Sequence, residues 1–197
     1  MPSVVFLKGV NVGGHRRFRP SVLARKLAQY GVINIGAAGT FVVAKPISQG
    51  KLRAELRRGL PFKVEAMICT ANNVINLASG DPFLGERGGP QIVRFVSVLA
   101  KRPRVLPALP LCLPSSEDWL VKVVTIRGRF VFGYYRRMMR TISFLSQLEC
   151  RLGGSATTRN WNTIATTIEA LRACTNSFRQ SPTEPSTNPD CDNLKRW

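Results

Sequence analysis

The chain has 197 residues, an ordinary apolar fraction of 44 %, and 29 lysines and arginines against 11 acidic residues, for a formal net charge of +18. That length fits one domain or two small, closely packed ones with a real core. No apolar run approaches the roughly 20 residues of a membrane span, so no membrane association is expected. One histidine, and five cysteines without a Cys-x-x-Cys pair, argue against a dedicated zinc site and against a disulfide framework. The odd cysteine number, and an apolar start broken early by Lys8, Gly9 and Asn11, fit a reducing, cytoplasmic setting.

In chain order, Ser3 to Lys8 is a short β-rich run followed by the glycine turn Asn11-Val12-Gly13-Gly14. Pro20 suits the first turn of a helix whose apolar stripe is Leu23, Leu27 and Tyr30, with Gly31 ending it. Two β-prone pieces follow, around Val32 to Gly36 and Thr40 to Ala44. Ser48 can cap a helix carrying Leu52 and Leu56 and stopping at Gly59. Lys63 to Ile68 reads as a strand, and Thr70 then caps a helix with Val74 and Leu77 on one side. The order β-α-β-β-α-β plus one helix is the split-βαβ, ferredoxin-like pattern.

Gly85 to Pro90 is a glycine-rich break. Beyond it, Gln91 to Ala100 reads as a strand, and Pro103, Pro107, Pro110 and Pro114 forbid a long helix in the connection after it. Trp119 to Ile126 and Arg129 to Tyr135 form a predicted hairpin turning at Gly128. Ile142, Leu145, Leu148 and Leu152 mark a helix closed by Gly153 and Gly154, and a last helix holds Ile164, Ile168 and Leu171. From Asn176 the chain becomes Ser-, Thr-, Pro- and Asn-rich, the composition of a disordered tail. The expected fold class is α+β, with two α/β-sandwich-like subdomains: residues 1–84, ferredoxin-like, and residues 91–174 packed on it, followed by a tail over 176–197.

Two segments stand out from this background. Leu7-Lys8-Gly9-Val10-Asn11-Val12-Gly13-Gly14-His15 and Ala156-Thr157-Thr158-Arg159-Asn160-Trp161-Asn162-Thr163 resemble, in matching order, the two signature motifs of the bacterial domain of unknown function family 1697. Its members read roughly LLRGINVGG near the start and TTRNWNTV near the end. The resemblance runs from about Val4 to Leu171, with Asp81-Pro82-Phe83 where the family often has Asn-Pro-Phe. It implies two α+β subdomains, the first ferredoxin-like, and carries no activity. This chain departs from the family at Ala37-Ala38-Gly39-Thr40, where a Gln-Ser-Gly-Asn-like turn is common. It departs again at Arg136-Arg137-Met138-Met139-Arg140, where a Gly-Arg-Ser-Lys-like stretch is common.

Read physically, the first segment offers a glycine-permitted turn, exposed backbone N–H groups and neighbouring cations, a combination able to cradle a phosphate or carboxylate. Its candidate ligand-binding residues are Asn11, Gly13, Gly14 and His15. The plainer reading has Asn11 holding the loop and the glycines only turning the chain. His15 is a residue type suited to general acid or base chemistry near neutral pH, but no carboxylate stands beside it in sequence. The second segment adds Arg159, Asn160 and Asn162 around the start of the last helix, with Thr157 or Thr158 as expected N-cap. Trp161 is most simply a core anchor. If the two segments meet, they form one basic, amide-lined cleft.

Phe130, Phe132 and Tyr134 would share one strand face. Alternating aromatics usually fill a core. An open face, ringed by Arg127, Arg129, Arg136, Arg137 and Arg140, would instead suit single-stranded nucleic acid. Arg16 and Arg17 belong to a broader basic face expected on the first two helices. Three functions fit the sequence: binding of an anionic ligand, with nucleic acid the leading candidate; an enzyme for a small phosphorylated or carboxylated metabolite; or a structural interaction module. Glu65, Glu149 and Glu169 are the plausible acid/base groups for the second, and no cofactor is called for.

Overall fold

The computed structural model describes residues 1–11, 16–85, 89–115 and 117–179. They form an α+β protein with two antiparallel sheets. The first sheet has β1 (Ser3–Leu7), β2 (Val32–Asn34), β3 (Thr40–Val43) and β4 (Ala66–Thr70) in the order β2-β3-β1-β4. That order arises when β1 and β2 are joined by helix α1 (Pro20–Lys26) and β3 inserts between them, as the split-βαβ pattern predicts. The second sheet orders β5 (Ile92–Leu99), β6 (Leu111–Leu113), β7 (Val121–Arg127), β8 (Phe130–Arg136) and β9 (Ala156–Asn160) as β6-β7-β8-β5-β9.

Strand periodicity sets the layers. In β1, Val5 and Leu7 face α1 and α2 (Gln49–Gly59), joining Leu23, Leu27, Leu52 and Leu56 in one apolar cluster. Val4 and Phe6 face the other way, into a core shared with the second sheet's Val96, Val98, Phe132 and Tyr134. That shared core also takes Val74 from α3 (Ala71–Ile75) and Ile164, Ile168 and Leu171 from α5 (Trp161–Arg179). The opposite face of the second sheet, with Phe95, Val121 and Val131, is covered by Leu148 of α4 (Thr141–Arg151) and by Leu152. The two halves of the chain are thus bound through one continuous core.

Local chemistry accounts for the element ends. The Ser48 hydroxyl accepts from the Lys51 backbone N–H and caps α2, and Thr70 does the same for α3 through Asn73. Gly31 is left-handed at φ 62°, but α1 stops earlier, at Lys26, and Ala28–Tyr30 forms a tighter 3₁₀ turn before it. The predicted strand at Lys63 begins only at Ala66 and runs to Thr70, because Thr70 both ends the strand and caps the next helix. Leu111–Leu113 is an unexpected edge strand, sitting in the proline-rich connection where edge pairing tolerates prolines nearby. Helix α5 continues through Arg179, past the predicted change at Asn176. The predicted break at Gly85–Pro90 and the segment from Gln180 onward include residues outside the described set.

Candidate functional site

Arg159 is the most connected polar side chain of the second segment. It is 6 % exposed, and all five of its N–H groups are used. Nε donates to Thr40 Oγ1 at 2.8 Å; one terminal nitrogen donates to Thr157 Oγ1 at 2.7 Å and to the Thr158 carbonyl at 2.8 Å. The other donates to the carbonyls of Leu7 and Ala38, each at 2.7 Å. Thr157 Oγ1 also donates to the Leu7 carbonyl at 3.2 Å. Burial pulls the Arg159 pKa down to about 10, so the guanidinium is still charged at neutral pH.

Asn11 works on the same turn from the other side. Its amide donates to the carbonyls of Ala37 at 2.8 Å and Phe18 at 3.1 Å, and its carbonyl accepts from the Phe18 N–H at 3.0 Å. The Asn11 N–H closes the loop by donating to Arg16 O at 3.3 Å. With Leu7 N–H donating to Gly39 O at 2.9 Å, three consecutive carbonyls, Ala37, Ala38 and Gly39, are captured. The turn is held entirely by its backbone, so its side chains can be alanines.

The two segments therefore meet, but at a buried clamp rather than an open shared cleft, and Asn11 and Arg159 have no donor left for a ligand. Gly13, Gly14 and His15 lie outside the described residues. Thr157 and Thr158 are not helix caps. They sit in β9, paired with Val98 and Ser97 of β5, and Ser97 and Thr158 hydroxyls hydrogen-bond at 2.6 Å. The cap of α5 is Asn160, whose Oδ1 accepts from both the N–H and the hydroxyl of Thr163 at 2.8 Å. An Asn-x-x-Thr spacing was the sequence signal that marks this cap.

The open site lies on the outer side of that cap. A cavity of about 500 Å³ is lined by Ile92, Val93 and Arg94 of β5, by Arg137, and by Asn160, Trp161 and Asn162. Strand pairing brings the pieces together. Ile92 faces Arg136 and Phe95 faces Asn160 across the sheet, and the Arg137 N–H donates to Gln91 O at 2.9 Å. Trp161 forms one wall, its ring edge-on to Phe83 at 5.1 Å, and the Arg94 guanidinium lies over the Phe83 ring, 5.3 Å from its centre. Arg94 gave no sequence signal, because it is the one cation on a largely apolar strand.

The remaining candidates divide by orientation. Phe130, Phe132 and Tyr134 are buried in the shared core, so they present no open stacking face. Arg127 reaches Ser79 O, just after the 76–78 turn, at 2.6 Å and Arg129 reaches Ile68 O of β4 at 3.2 Å, tying the hairpin to the first half of the chain. Arg136 stacks on Trp119 and pairs with Asp118 at 3.5 Å. Arg16 and Arg17 are exposed, as is Arg140.

Glu65 and Glu149 come together around Lys8. The Lys8 ammonium is ion-paired with Glu149 and donates to Ser155 Oγ at 2.7 Å, and Ser155 Oγ in turn donates to Glu65 Oε2 at 2.6 Å. The group forms a polar bracket between the halves, with the Ser155 hydroxyl accepting from Lys8 and donating to Glu65. Glu169 is exposed on α5, apart from it.

No family model matches the chain, and no curated protein matches it. A conserved bacterial protein of Streptococcus pneumoniae, SP0830, is similar in structure, with a TM-score of 0.54 at 16 % sequence identity over 86 % of this chain and 98 % of that one. At that identity the likeness shows the α+β fold and nothing of the site.

Proposed function

We propose that the protein binds a small anionic ligand, a phosphorylated or carboxylated molecule, in the cavity at the start of α5. The observation that carries this reading is the convergence of Arg94 and Arg137 on the first turn of a long helix, in a cavity with no carboxylate among its lining residues. The first-turn N–H groups of a helix have no intrahelical acceptor and favour negative charge. Asn162 adds a side-chain amide, and Trp161 an aromatic wall for an attached apolar or planar group. The volume suits a small molecule. The same lining supplies no histidine, cysteine or carboxylate for proton transfer, which favours binding over the alternative of catalysis on such a metabolite. The resemblance to domain of unknown function family 1697 agrees with this reading in placing one of its two motifs at the cavity.

The test is a calorimetric or tryptophan-fluorescence titration with inorganic phosphate, citrate and a nucleoside monophosphate. Loss of one charge-assisted contact corresponds to about 1.5–3 kcal/mol, so Arg94→Gln and Arg137→Gln should each weaken binding roughly 10- to 100-fold without changing the circular dichroism spectrum. Wild-type protein that binds none of these anions, or variants that bind them equally well, would overturn it.

A further inference from the structure

The cavity at α5 uses only a small share of the positive charge. A second concentration lies at the other end of β5, where the chain leaves Leu99 and turns through Lys101, Arg102 and Arg104. These cations border a hollow of about 410 Å³ together with Arg151 at the end of α4. All four are exposed, none forms an ion pair among the described residues, and no carboxylate lines the hollow.

A chain of hydrogen bonds links this hollow to a second one, beside α2 and the start of β4. The Ala100 N–H donates to Ser155 O at 2.8 Å, which sets Ser155 beside the 101–104 turn. Ser155 Oγ donates to Glu65, and Glu65 lines a hollow of about 210 Å³ with Arg53 and Arg57 of α2. The carboxylates at the join, Glu65 and Glu149, are already engaged by Ser155 and Lys8. The result is a strip from Arg53 and Arg57, across the polar bracket, to Arg151, Lys101, Arg102 and Arg104.

We infer that this strip is a nucleic-acid interface that contacts the phosphodiester backbone without reading sequence. Its shape supports that class of partner. The cations are divided between two hollows, one on each half of the molecule, with no lining residue in common, which is more than one small anion can span, and the hollows are concave where a flat bilayer surface cannot enter. The aromatic side chain that lines the strip, Phe62, is half-buried and packed edge-on to Phe18, so the contacts are mainly electrostatic, and their signature is counterion release.

The experiment is fluorescence anisotropy of the full chain with labelled single-stranded and duplex DNA of mixed sequence over a range of salt. Each phosphate neutralised should contribute a slope of about −0.9 in log K against log salt on duplex and about −0.7 on single strands. Arg102→Gln, Arg104→Gln and Arg151→Gln together should reduce the magnitude of the duplex slope by about 2–3 and weaken binding at low salt at least about tenfold. The equal-charge control Arg25→Gln, Lys45→Gln and Arg172→Gln, on exposed cations outside the strip, should change it much less. Arg94→Gln and Arg137→Gln should leave DNA binding intact, which separates this interface from the small-anion cavity. Absence of DNA binding at low salt would overturn the inference. So would equal losses in the two triple variants, or binding to phosphatidylserine vesicles with none to DNA.

Discussion

The Nε of Arg159 donates to the hydroxyl of Thr40 at 2.8 Å, joining residues 119 positions apart. Thr40 starts β3 and Arg159 lies in β9, so this bond ties the first sheet to the edge of the second. It matters because Arg159 is buried without a carboxylate partner among the described residues. Its charge is stabilised by three carbonyls and two hydroxyls arranged around a planar fork.

Arg159→Lys therefore should not be conservative. A lysine keeps the charge but has three donors on one tetrahedral nitrogen, and leaves buried carbonyls unpaired. The expected loss is about 2–4 kcal/mol of unfolding free energy, given about 1–3 kcal/mol per unsatisfied buried group with partial relaxation. Urea denaturation followed by circular dichroism checks this. A change in midpoint corresponding to much less than that would show that the clamp is dispensable.

Gly39 lies at the centre of the turn that Arg159 and Asn11 hold. Its φ is +73°, and a Cβ there would lie 2.6 Å from Val10 Cγ2 and 3.0 Å from Leu7 Cβ. Gly39→Ala combines left-handed strain with a clash against two buried side chains, and is expected to cost about 1–3 kcal/mol. Gly36→Ala is the comparison: it shares a positive φ of 77° but has open space around the new methyl. Thermal melting of the two variants should place Gly39→Ala clearly lower.

These sites also show where the sequence was readable. The Ser48 and Thr70 caps, the hairpin turn at Gly128 and the apolar stripes of α2 and α4 depend on neighbours within a few residues, and local chemistry was enough to place them. Thr157 and Thr158 look like caps beside an amphipathic helix, yet pairing with β5, some sixty positions away, makes them strand residues. Arg159 reads as an anion-binding cation beside the start of the last helix until the fold supplies carbonyls from Leu7 and Ala38. Arg94 enters the cavity only because β5 lies between β8 and β9, a fact of sheet order that no local pattern contains.

Asp81 offers a pH test. Its carboxylate accepts from the backbone N–H groups of Phe83, at 2.9 Å, and Gly85, and these bonds hold its pKa below the ordinary 3.8, with Arg94 and Arg127 adding smaller attraction. A carboxylate depressed in the folded state contributes stability above its unfolded pKa and loses it as pH falls through the folded value. The melting temperature of the wild type should thus carry an Asp81 contribution at neutral pH that fades below about pH 4. Asp81→Asn should lower the melting temperature at neutral pH and narrow the gap to wild type in acid. A gap that is constant across this range would mean that the loop is held without the charge.

Cysteine reactivity tests the shared core directly. Cys69 lies in β4, 3 % exposed, packed with residues of both sheets, and burial pushes its thiol pKa up to about 11 against a smaller opposing pull from Arg129. Cys150, on α4, is exposed. Alkylation proceeds through the thiolate, so at about pH 8 a buried thiol with a raised pKa is protected twice, by access and by protonation. Iodoacetamide with peptide mapping should modify Cys150 first and leave Cys69 unmodified until the protein is unfolded. In the Arg159→Lys variant, loosening of the clamp between the sheets should accelerate Cys69 labelling while leaving Cys150 unchanged. Equal labelling of Cys69 and Cys150 in the native wild type would show that the two sheets part readily and do not share a closed core.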